Sequence, residues 1–593
     1  MTQLIPLDYA LIVLFFLISA GIGLFTARRA GSSAGEFFLS GRRMPWWLLG
    51  ISMVATTFAA DTPNLVTEIV RQKGVSGNWL WWAFLLTGML TVFFYARLWR
   101  RSEVLTDLGF YALRYSGREA RLLRGFRAVY LGVVFNVLVM ATVSVAAIKL
   151  GGVLLGLSPL QTLVLTMSIT LFYSTLGGLQ GILLTDLFQF LVAMGGGIWA
   201  AVVIVDLPEV GGLSALLAHP MVSDRLAFVP DFSDRELLMG VLVLPLAVQW
   251  WSVWYPGAEP GGGGYVAQRM LAAKSENHAL AATLFFNLAH YALRPWPWLL
   301  IALASLVVFP DLSALSAALP EVSALGIAAG DDLAYPAMLR FLPNGLLGLV
   351  IASLTAAFMS TISTHLNWGA SYVVYDYYQP FVHPEADEKR LVWVGRLTTL
   401  LTLLLTAGLA LLLESALAGF QIILKIGAGT GLIFILRWFW WRINAYTELS
   451  GMVISFLVAL YFEVFAPLWG LPLPALVWTH LLWEVGITTA GWLLVTFLTR
   501  PTDEQVLLRF FRVIRPYAYG WQAVVRRSPE LMPYAGTSFG RSLLGMICGV
   551  VLVYAVLFGT GYLLYGQALQ SLLAWSLAVL SGVVLWERVF SAE

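Results

Sequence analysis

Apolar stretches of about 20 residues, the length that crosses a bilayer as one helix, recur along the whole chain and constrain its fold more than any other feature. Of the 593 residues, 59% are hydrophobic and only 11% are charged. Such a composition excludes a soluble protein. The sequence therefore predicts an all-α polytopic membrane protein.

Fifteen stretches are apolar and long enough to be predicted as spans. No basic residues precede the first span and no small-residue cleavage motif follows it, so we expect it to be retained rather than removed as a signal peptide. The one cysteine, Cys548, lies in a late span and allows no intramolecular disulfide. The predicted spans are 8–27, 45–71, 79–99, 128–150, 158–178, 184–206, 238–256, 277–309, 343–365, 391–413, 417–441, 446–466, 474–498, 541–565 and 567–590.

The distribution of basic residues predicts the orientation. Lysines and arginines cluster in alternate connections between spans, and cytoplasmic loops carry an excess of them. With the N-terminus outside, most basic residues and the C-terminus are cytoplasmic. The residues left outside or within the membrane are Arg71, Lys73, Lys149, Arg225, Arg235, Arg294, Arg340 and Lys425. We therefore predict a multi-pass protein of the cell membrane in this orientation.

Three polar stretches interrupt the apolar pattern. Two on the outer side, 207–235 and 311–341, are long enough to form lids or short surface helices. The third, 500–540, is cytoplasmic and begins with apolar residues at helical spacing between arginines, which predicts an amphipathic helix on the membrane surface. The chain has no Walker loop, no His/Cys cluster with metal-site spacing and no stretch typical of a nucleic-acid-binding domain.

Two spans contain residues that cannot sustain a regular helix. In the second span, ATTFAADTP (Ala55–Pro63) ends in a proline, which removes a backbone donor and disfavours helix at Thr62. The seventh is interrupted by YPGAEPGGGGYVAQRM (Tyr255–Met270), with two prolines and five glycines. Paired interruptions five spans apart are typical of an inverted-repeat transporter whose solute lies between the broken helices. For the second span, a plain proline kink is the alternative.

The ninth span, within Leu342–Asn367, carries hydroxyl groups on one face. Small and hydroxyl residues recur there at three- and four-residue spacing: Ala357, Ser360, Thr361 and Thr364, with Ser363 beside them. Oxygen ligands on a helix face suit a hard cation such as Na⁺. The alternative is close helix packing, with each hydroxyl bonded to a carbonyl one turn earlier.

Six segments, in this order and on the expected sides of the membrane, resemble one known family. They are SGRRMPWWLLGISMVATTFAAD (Ser40–Asp61), TDLGFYALRYSG (Thr106–Gly117), YSTLGGLQGILLTDLFQ (Tyr173–Gln189), VAQRMLAAKS (Val266–Ser275), LPNGLLGLVIASLTAAFMSTIS (Leu342–Ser363) and WWRINA (Trp440–Ala445). From Tyr9 to Pro516 the chain resembles the sodium:solute symporter family, which contains sodium-coupled sugar, proline and sialic acid transporters.

This resemblance implies a leucine-transporter type fold: a five-plus-five inverted-repeat core, one leading helix and about four trailing helices. Residues 1–44 would form the leading helix and a cytoplasmic loop, and 45–236 the first repeat and an outer loop. Residues 237–445 would form the second repeat. Residues 446–593 would form the C-terminal helices with the amphipathic linker 500–540.

The resemblance also implies two sodium sites. The main site would use the carbonyl oxygens of Ala55, Phe58 and Ala357 and the hydroxyls of Ser360 and Thr361. A second site, found in some relatives, would use Asp186, Ser360, Ser363 and Thr364. The local sequence offers Asp186 no basic neighbour, which favours a cation there and predicts two Na⁺ per solute. Alternatively, Asp186 caps a helix that begins after Thr185.

The solute site departs from the sugar-transporting relatives. Thr62, beside Asp61, stands where they carry a glutamine that contacts the sugar, and Tyr291 replaces a lysine. Their asparagine and gating tyrosine have no clean counterpart in WYPGAEPGGGG. The candidate solute-binding residues are Asp61, Thr62, Glu259, Tyr291 and Gln421, and the solute is left open between a sugar and an amino acid or carboxylate.

Other polar residues at membrane depth admit two interpretations. Arg294 and Lys425 could bind a solute carboxylate, or they could form structural ion pairs with Glu259, Asp61 or Glu414. Arg294 lies in RPWPW, a kinked segment that favours the structural role. The histidines, among them His278, His290 and His365, lack ligand spacing and are interpreted as structural.

The predicted function is Na⁺-coupled symport of a small polar organic solute into the cell, and no enzymatic activity is expected. Na⁺ is the coupling ion, without any other cofactor. The expected partners are the solute, Na⁺ and the lipid bilayer, with no nucleic acid and no oligomeric state indicated. The alternatives are a Na⁺-independent uniporter or channel, and a solute sensor built on a symporter-like domain. Residues 500–540 are too few for a signalling domain, which disfavours the sensor.

Overall fold

The computed structural model describes residues 4–30, 39–57, 59–104, 107–173, 179–251, 259–474, 477–534 and 539–590. Within these ranges the chain is helical, and its one β-bridge pairs Met44 with Ala273. Ten helices in this part of the chain are long and apolar enough to cross a membrane, or eleven if one bent pair counts as a span. The prediction of an all-α polytopic protein is confirmed.

The main helices are numbered in chain order. They are α1 (Pro6–Ala30), α2 (Trp46–Thr57), α3 (Asp61–Lys73), α4 (Val75–Ser102), α5 (Gly117–Leu155), α6 (Pro159–Tyr173), α7 (Leu179–Val205), α8 (Gly264–Leu271), α9 (Glu276–Val308), α10 (Leu346–Val382), α11 (Glu388–Ala410), α12 (Ala416–Gly427), α13 (Gly431–Phe439), α14 (Ala445–Leu468), α15 (Val477–Leu498), α16 (Glu504–Ile514), α17 (Phe539–Leu564) and α18 (Ala568–Leu585).

The break in the second span lies within the predicted stretch Ala55–Pro63. Helix α2 ends at Thr57 and α3 begins at Asp61, with Ala59 and Ala60 outside both helices. Pro63 lies in the first turn of α3, where its missing N–H leaves no helical hydrogen bond unmade. The interruption is thus confirmed, but the proline starts the second half rather than unwinding the first.

The break in the seventh span is also present, although Tyr255–Ala258 lie outside the described residues. Residues 259–263 are not helical, and Gly261 and Gly262 have φ angles of +90° and +85°, which glycine adopts without steric cost. Helix α8 begins at Gly264, so the predicted interruption does not extend to Met270.

A third break was not predicted. The eleventh predicted span divides into α12 and α13, which are bent by 46°. Gly427, Gly429 and Gly431 surround the break, and Gly429 has a φ of +78°. The helix therefore ends where glycine makes a left-handed residue inexpensive.

Of the three polar stretches, 207–235 and 311–341 match their prediction and 500–540 differs from it. Short helices form in both 207–235 and 311–341, for example Leu213–Ala218 and Leu312–Ala318, as predicted. Helix α16 differs from its prediction, because its apolar face is buried in the protein rather than on the membrane surface. Phe510 on that face stacks on Trp521 with ring centroids 5.5 Å apart.

Candidate functional site

Four of the five main sodium-site candidates lie on α2 and α10, two helices that contact each other. Ala55 is buried in the last turn of α2. The last carbonyls of a helix have no intrahelical partner and carry the negative end of its dipole, which favours a cation. The second candidate on this segment, Phe58, lies outside the described residues.

On α10, two predicted ligands lie together. The hydroxyl of Thr361 donates to the carbonyl of Ala357 at 2.9 Å, and both residues are buried. Ser360 is partly buried, and its carbonyl accepts from the Ser363 hydroxyl at 3.1 Å. This is the hydroxyl-to-carbonyl bonding of the packing alternative. It is compatible with a sodium site because a donating hydroxyl keeps lone pairs for a cation.

The second-site candidate Asp186 lies inside α7, so it does not cap that helix. Its carboxylate accepts from the Ser52 hydroxyl at 2.5 Å and lies 3.9 Å from a guanidinium nitrogen of Arg269. Arg269 also donates to Ser52 at 3.3 Å. The tertiary structure thus supplies the basic neighbour that the local sequence lacks. The remaining candidates, Ser363 and Thr364, lie partly buried on α10, which packs against α7.

A cavity lies beside the break between α2 and α3. Its walls come from α3, α5, α9 and α12, with Trp81 of α4 and Thr57 of α2. Asp61 and Thr62, both predicted as solute-binding residues, line it. The Oδ1 atom of Asp61 is buried and has no hydrogen-bond partner among the described residues. An acceptor in that position is available to a bound solute.

The sequence favoured a structural role for two residues that line the cavity. His290 and Arg294, four residues apart on α9, both line the cavity. Arg294 donates to the Val54 carbonyl at 3.3 Å, and its guanidinium lies 5.0 Å from the ring centre of Trp298. Arg294 and Asp61 are close enough to interact electrostatically. The available signal was the four-residue spacing, which places two polar side chains on one helix face.

Three solute candidates do not line this cavity. Tyr291 points elsewhere and stacks on Trp81, with ring centroids 5.8 Å apart. Gln421 is exposed, because the cavity-facing side of α12 is formed by Phe420 and Ile423. Glu259 is buried in an ion-pair cluster, described next. Tyr291 and Gln421 thus lie on helices that line the cavity but not on the cavity-lining side, and Glu259 lies in a non-helical segment.

Glu259 belongs to a buried cluster that joins four segments of the chain. It accepts hydrogen bonds from Arg127 of α5 and from Arg437 of α13, the latter at 3.4 Å. Arg437 also contacts Glu448 of α14 at 3.4 Å, and Glu448 accepts from the Tyr115 hydroxyl. Each charge therefore has an opposite partner, as charges buried in a membrane protein require.

The other basic candidate, Lys425, pairs with Glu463 at 2.6 Å rather than with any of the acids expected from the sequence.

In the described part of the chain, no group of three or more His, Cys, Asp or Glu side chains is placed to hold a metal ion. The predicted Na⁺ ligands at the main candidate site are hydroxyl and carbonyl oxygens.

Known proteins are similar to this chain over most of its length. The model of the sodium:solute symporter family matches residues 37–455. The sodium/glucose cotransporter of Vibrio parahaemolyticus is 26% identical over 485 residues, which cover 78% of this chain and 86% of that protein. The sodium/myo-inositol cotransporter 2 of Sus scrofa is 26% identical over 484 residues, covering 77% and 69%.

A solved structure shares the fold. The substrate-bound, outward-open state of a Na⁺-coupled sialic acid symporter superposes with a TM-score of 0.61 at 20% sequence identity, covering 84% of this chain and 99% of that one. The predicted symporter fold is thereby confirmed. Because the family model spans most of the sequence, the chain belongs to the sodium:solute symporter family.

Proposed function

We propose that this protein uses the inward Na⁺ gradient to move a small, net-neutral polar solute across the cell membrane, and that the solute binds in the cavity beside the α2–α3 break. Membership of the family makes the protein a Na⁺-coupled transporter rather than an enzyme. The inward direction, the cell membrane and the orientation with the N-terminus outside are part of the proposal.

The observation that carries this proposal is the position of the cavity. It adjoins the end of α2, the helix that carries the sodium candidate Ala55 and that contacts α10, which carries the candidate Thr361. A cation there would join the broken helix to an intact one and stabilise the cavity that receives the solute. Release of Na⁺ on the cytoplasmic side would weaken that cavity, so solute and ion would leave together.

The charged side chains that line the cavity indicate which net charge the solute carries. Asp61 and Arg294 carry opposite charges, so a solute without net charge disturbs their balance least. Sugars are the first candidates because the curated relatives are named for glucose and myo-inositol. Zwitterionic amino acids are the second, since an ammonium group would suit the unbonded Oδ1 of Asp61 and a carboxylate would suit Arg294.

Uptake by purified protein in liposomes tests the proposal. Labelled sugars and amino acids should accumulate only with an inward Na⁺ gradient, and equal uptake in K⁺ would indicate a uniporter instead. Asp61→Asn then separates the two solute classes. It should weaken a zwitterion at least tenfold through the lost charge, whereas a sugar should lose only a few-fold because the amide still accepts a hydroxyl hydrogen bond.

A further inference from the structure

One carboxylate in the membrane region has no role in the sites described above. Glu484 of α15 is 1% exposed, and neither of its carboxylate oxygens has a hydrogen-bond partner among the described residues. It shares a buried stripe with Thr488, Trp492 and Thr496, which faces α14. A carboxylate in such a place is unfavourable unless a cation or a proton neutralises it.

The charges around Glu484 do not balance. Lys425 of α12 and Glu463 of α14 lie close enough to interact with it electrostatically. Lys425 already pairs with Glu463 at 2.6 Å, so two carboxylates share one ammonium. His480, one turn earlier on α15, contacts the Pro474 carbonyl at 3.1 Å and stacks on Phe462. One positive charge is therefore missing from this group.

The stripe faces the break between α12 and α13. A Cβ atom built on Gly429, within the break, would lie 2.7 Å from the Cβ of Thr488, so the two residues are in direct contact. The Thr488 hydroxyl is buried without a hydrogen-bond partner in the described chain, whereas Thr496 donates to the Trp492 carbonyl at 2.6 Å. Thr488 thus keeps a hydroxyl that ordinary helix bonding would have used.

The break also presents backbone oxygens and a helix end. The hydroxyl of Ser455 donates to the carbonyls of Ile426 and Ala428, at 2.8 Å and 2.6 Å, and each of these carbonyls keeps a second lone pair. Helix α12 ends here, so the negative end of its dipole faces the same region. Carbonyls and helix C-termini at breaks inside the membrane are typical Na⁺ ligands.

We propose that Glu484 and Thr488, placed against the α12–α13 break, form a further binding site for a monovalent metal cation, with Na⁺ as the ion. The site shares no residue with the sodium candidates on α2, α7 and α10, so it can be tested independently of them. Its functional consequence follows from α12, because Phe420 and Ile423 on that helix line the solute cavity. A cation at the break would stabilise the bent helix and hence the cavity wall.

Counting bound Na⁺ tests this site directly. Purified protein in nanodiscs is titrated with ²²Na⁺ to obtain the number bound per chain. Glu484→Gln should bind one Na⁺ fewer than wild type, and Thr488→Val, which preserves shape, should weaken one Na⁺ at least several-fold. The matched control combines Lys425→Met with Glu463→Gln, which removes the neighbouring pair as a unit and should leave the count unchanged.

Size-exclusion profiles and the remaining bound Na⁺ show that each variant is folded. An unchanged Na⁺ count and affinity in both Glu484→Gln and Thr488→Val overturns the proposal. A pH-indicator measurement in which Glu484→Gln loses a bound proton rather than a Na⁺ also overturns it, because the carboxylate is then neutralised by protonation.

Discussion

At the residue scale, the polar side chains fall into two groups by their bonding. Asp61 keeps an unbonded buried oxygen at the cavity, and Thr361 keeps lone pairs beside Ala357. Glu259 and Arg437 instead satisfy each other inside the protein. A group of the first kind can exchange its partner for a ligand at little cost, whereas removing a member of the second leaves a buried charge.

For the main sodium site, Ser360→Ala and Thr361→Ala should each lower the apparent Na⁺ affinity of transport several-fold or more. Both changes remove a ligand oxygen, and alanine is a good helix former that introduces no clash, so folding should be preserved. The measurement is solute uptake as a function of Na⁺ concentration. Ser353→Ala is the control, because that buried hydroxyl of α10 donates to the Val350 carbonyl at 2.9 Å. Wild-type Na⁺ dependence in both site variants would remove the main site from α10.

At the scale of elements, the three broken spans differ in what surrounds the break. The α2–α3 break lies beside the proposed solute cavity, and the α12–α13 break contacts α15. In the loop before α8, Glu259 accepts hydrogen bonds from two arginines. Gly261 in that loop packs against Tyr95, since an added Cβ would lie 2.8 Å from its ring. This loop therefore acts as a packed junction among α4, α5 and α13, and Glu259 is part of that junction.

Glu259→Gln should accordingly lower stability by about 3–5 kcal/mol, because two buried arginines then share the single carboxylate of Glu448. Thermal melting of the purified protein would report this loss. Glu276→Gln offers a matched comparison, since the Arg101–Glu276 pair is equally direct at 2.7 Å but is 27% and 38% exposed. That variant should change stability by less than about 1 kcal/mol. Equal melting of the two variants would contradict a structural role for Glu259.

At the scale of the whole molecule, ion pairs join helices that line the cavity to distant segments of the chain. In the proposed orientation, Arg71–Asp331 at 2.8 Å and Lys149–Asp332 at 2.5 Å tie α3 and α5 to an outer loop. The cluster around Glu259 joins α5, α13 and α14. Transport requires the cavity to open to one side at a time. We therefore expect the pairs of Arg71 and Lys149 to separate in the half of the cycle that opens the cavity toward their loop.

The number of ions moved in that cycle is a property of the whole molecule. We predict two Na⁺ per solute in wild type and one in Asp186→Asn, measured from the reversal potential of solute flux at several Na⁺ gradients. The exposed outer-loop variant Asp224→Asn should keep the wild-type ratio. A ratio of one in wild type, unchanged in Asp186→Asn, would mean that Arg269 is the partner of Asp186 and that the second sodium site is absent.

The sequence by itself determined the features that depend on neighbouring residues. Apolar length placed the ten or eleven helices of the described chain that are long enough to span a membrane, although fifteen spans were predicted. Prolines and glycines placed two of the three breaks, and three- and four-residue spacing predicted the hydroxyl face of α10. Asp61 and Thr62, which were predicted from the resemblance to the family, line the cavity beside the first of these breaks.

Tertiary structure decided which distant polar groups meet. Asp186 meets Arg269, Glu259 meets Arg127, and Arg294 faces the same cavity as Asp61. The first two pairs lie 83 and 132 positions apart in the sequence. A charge buried in a membrane protein takes whichever opposite charge helix packing brings within a few ångströms. Periodicity along one helix cannot specify that choice, because the rotation of the neighbouring helix decides which side chain faces it.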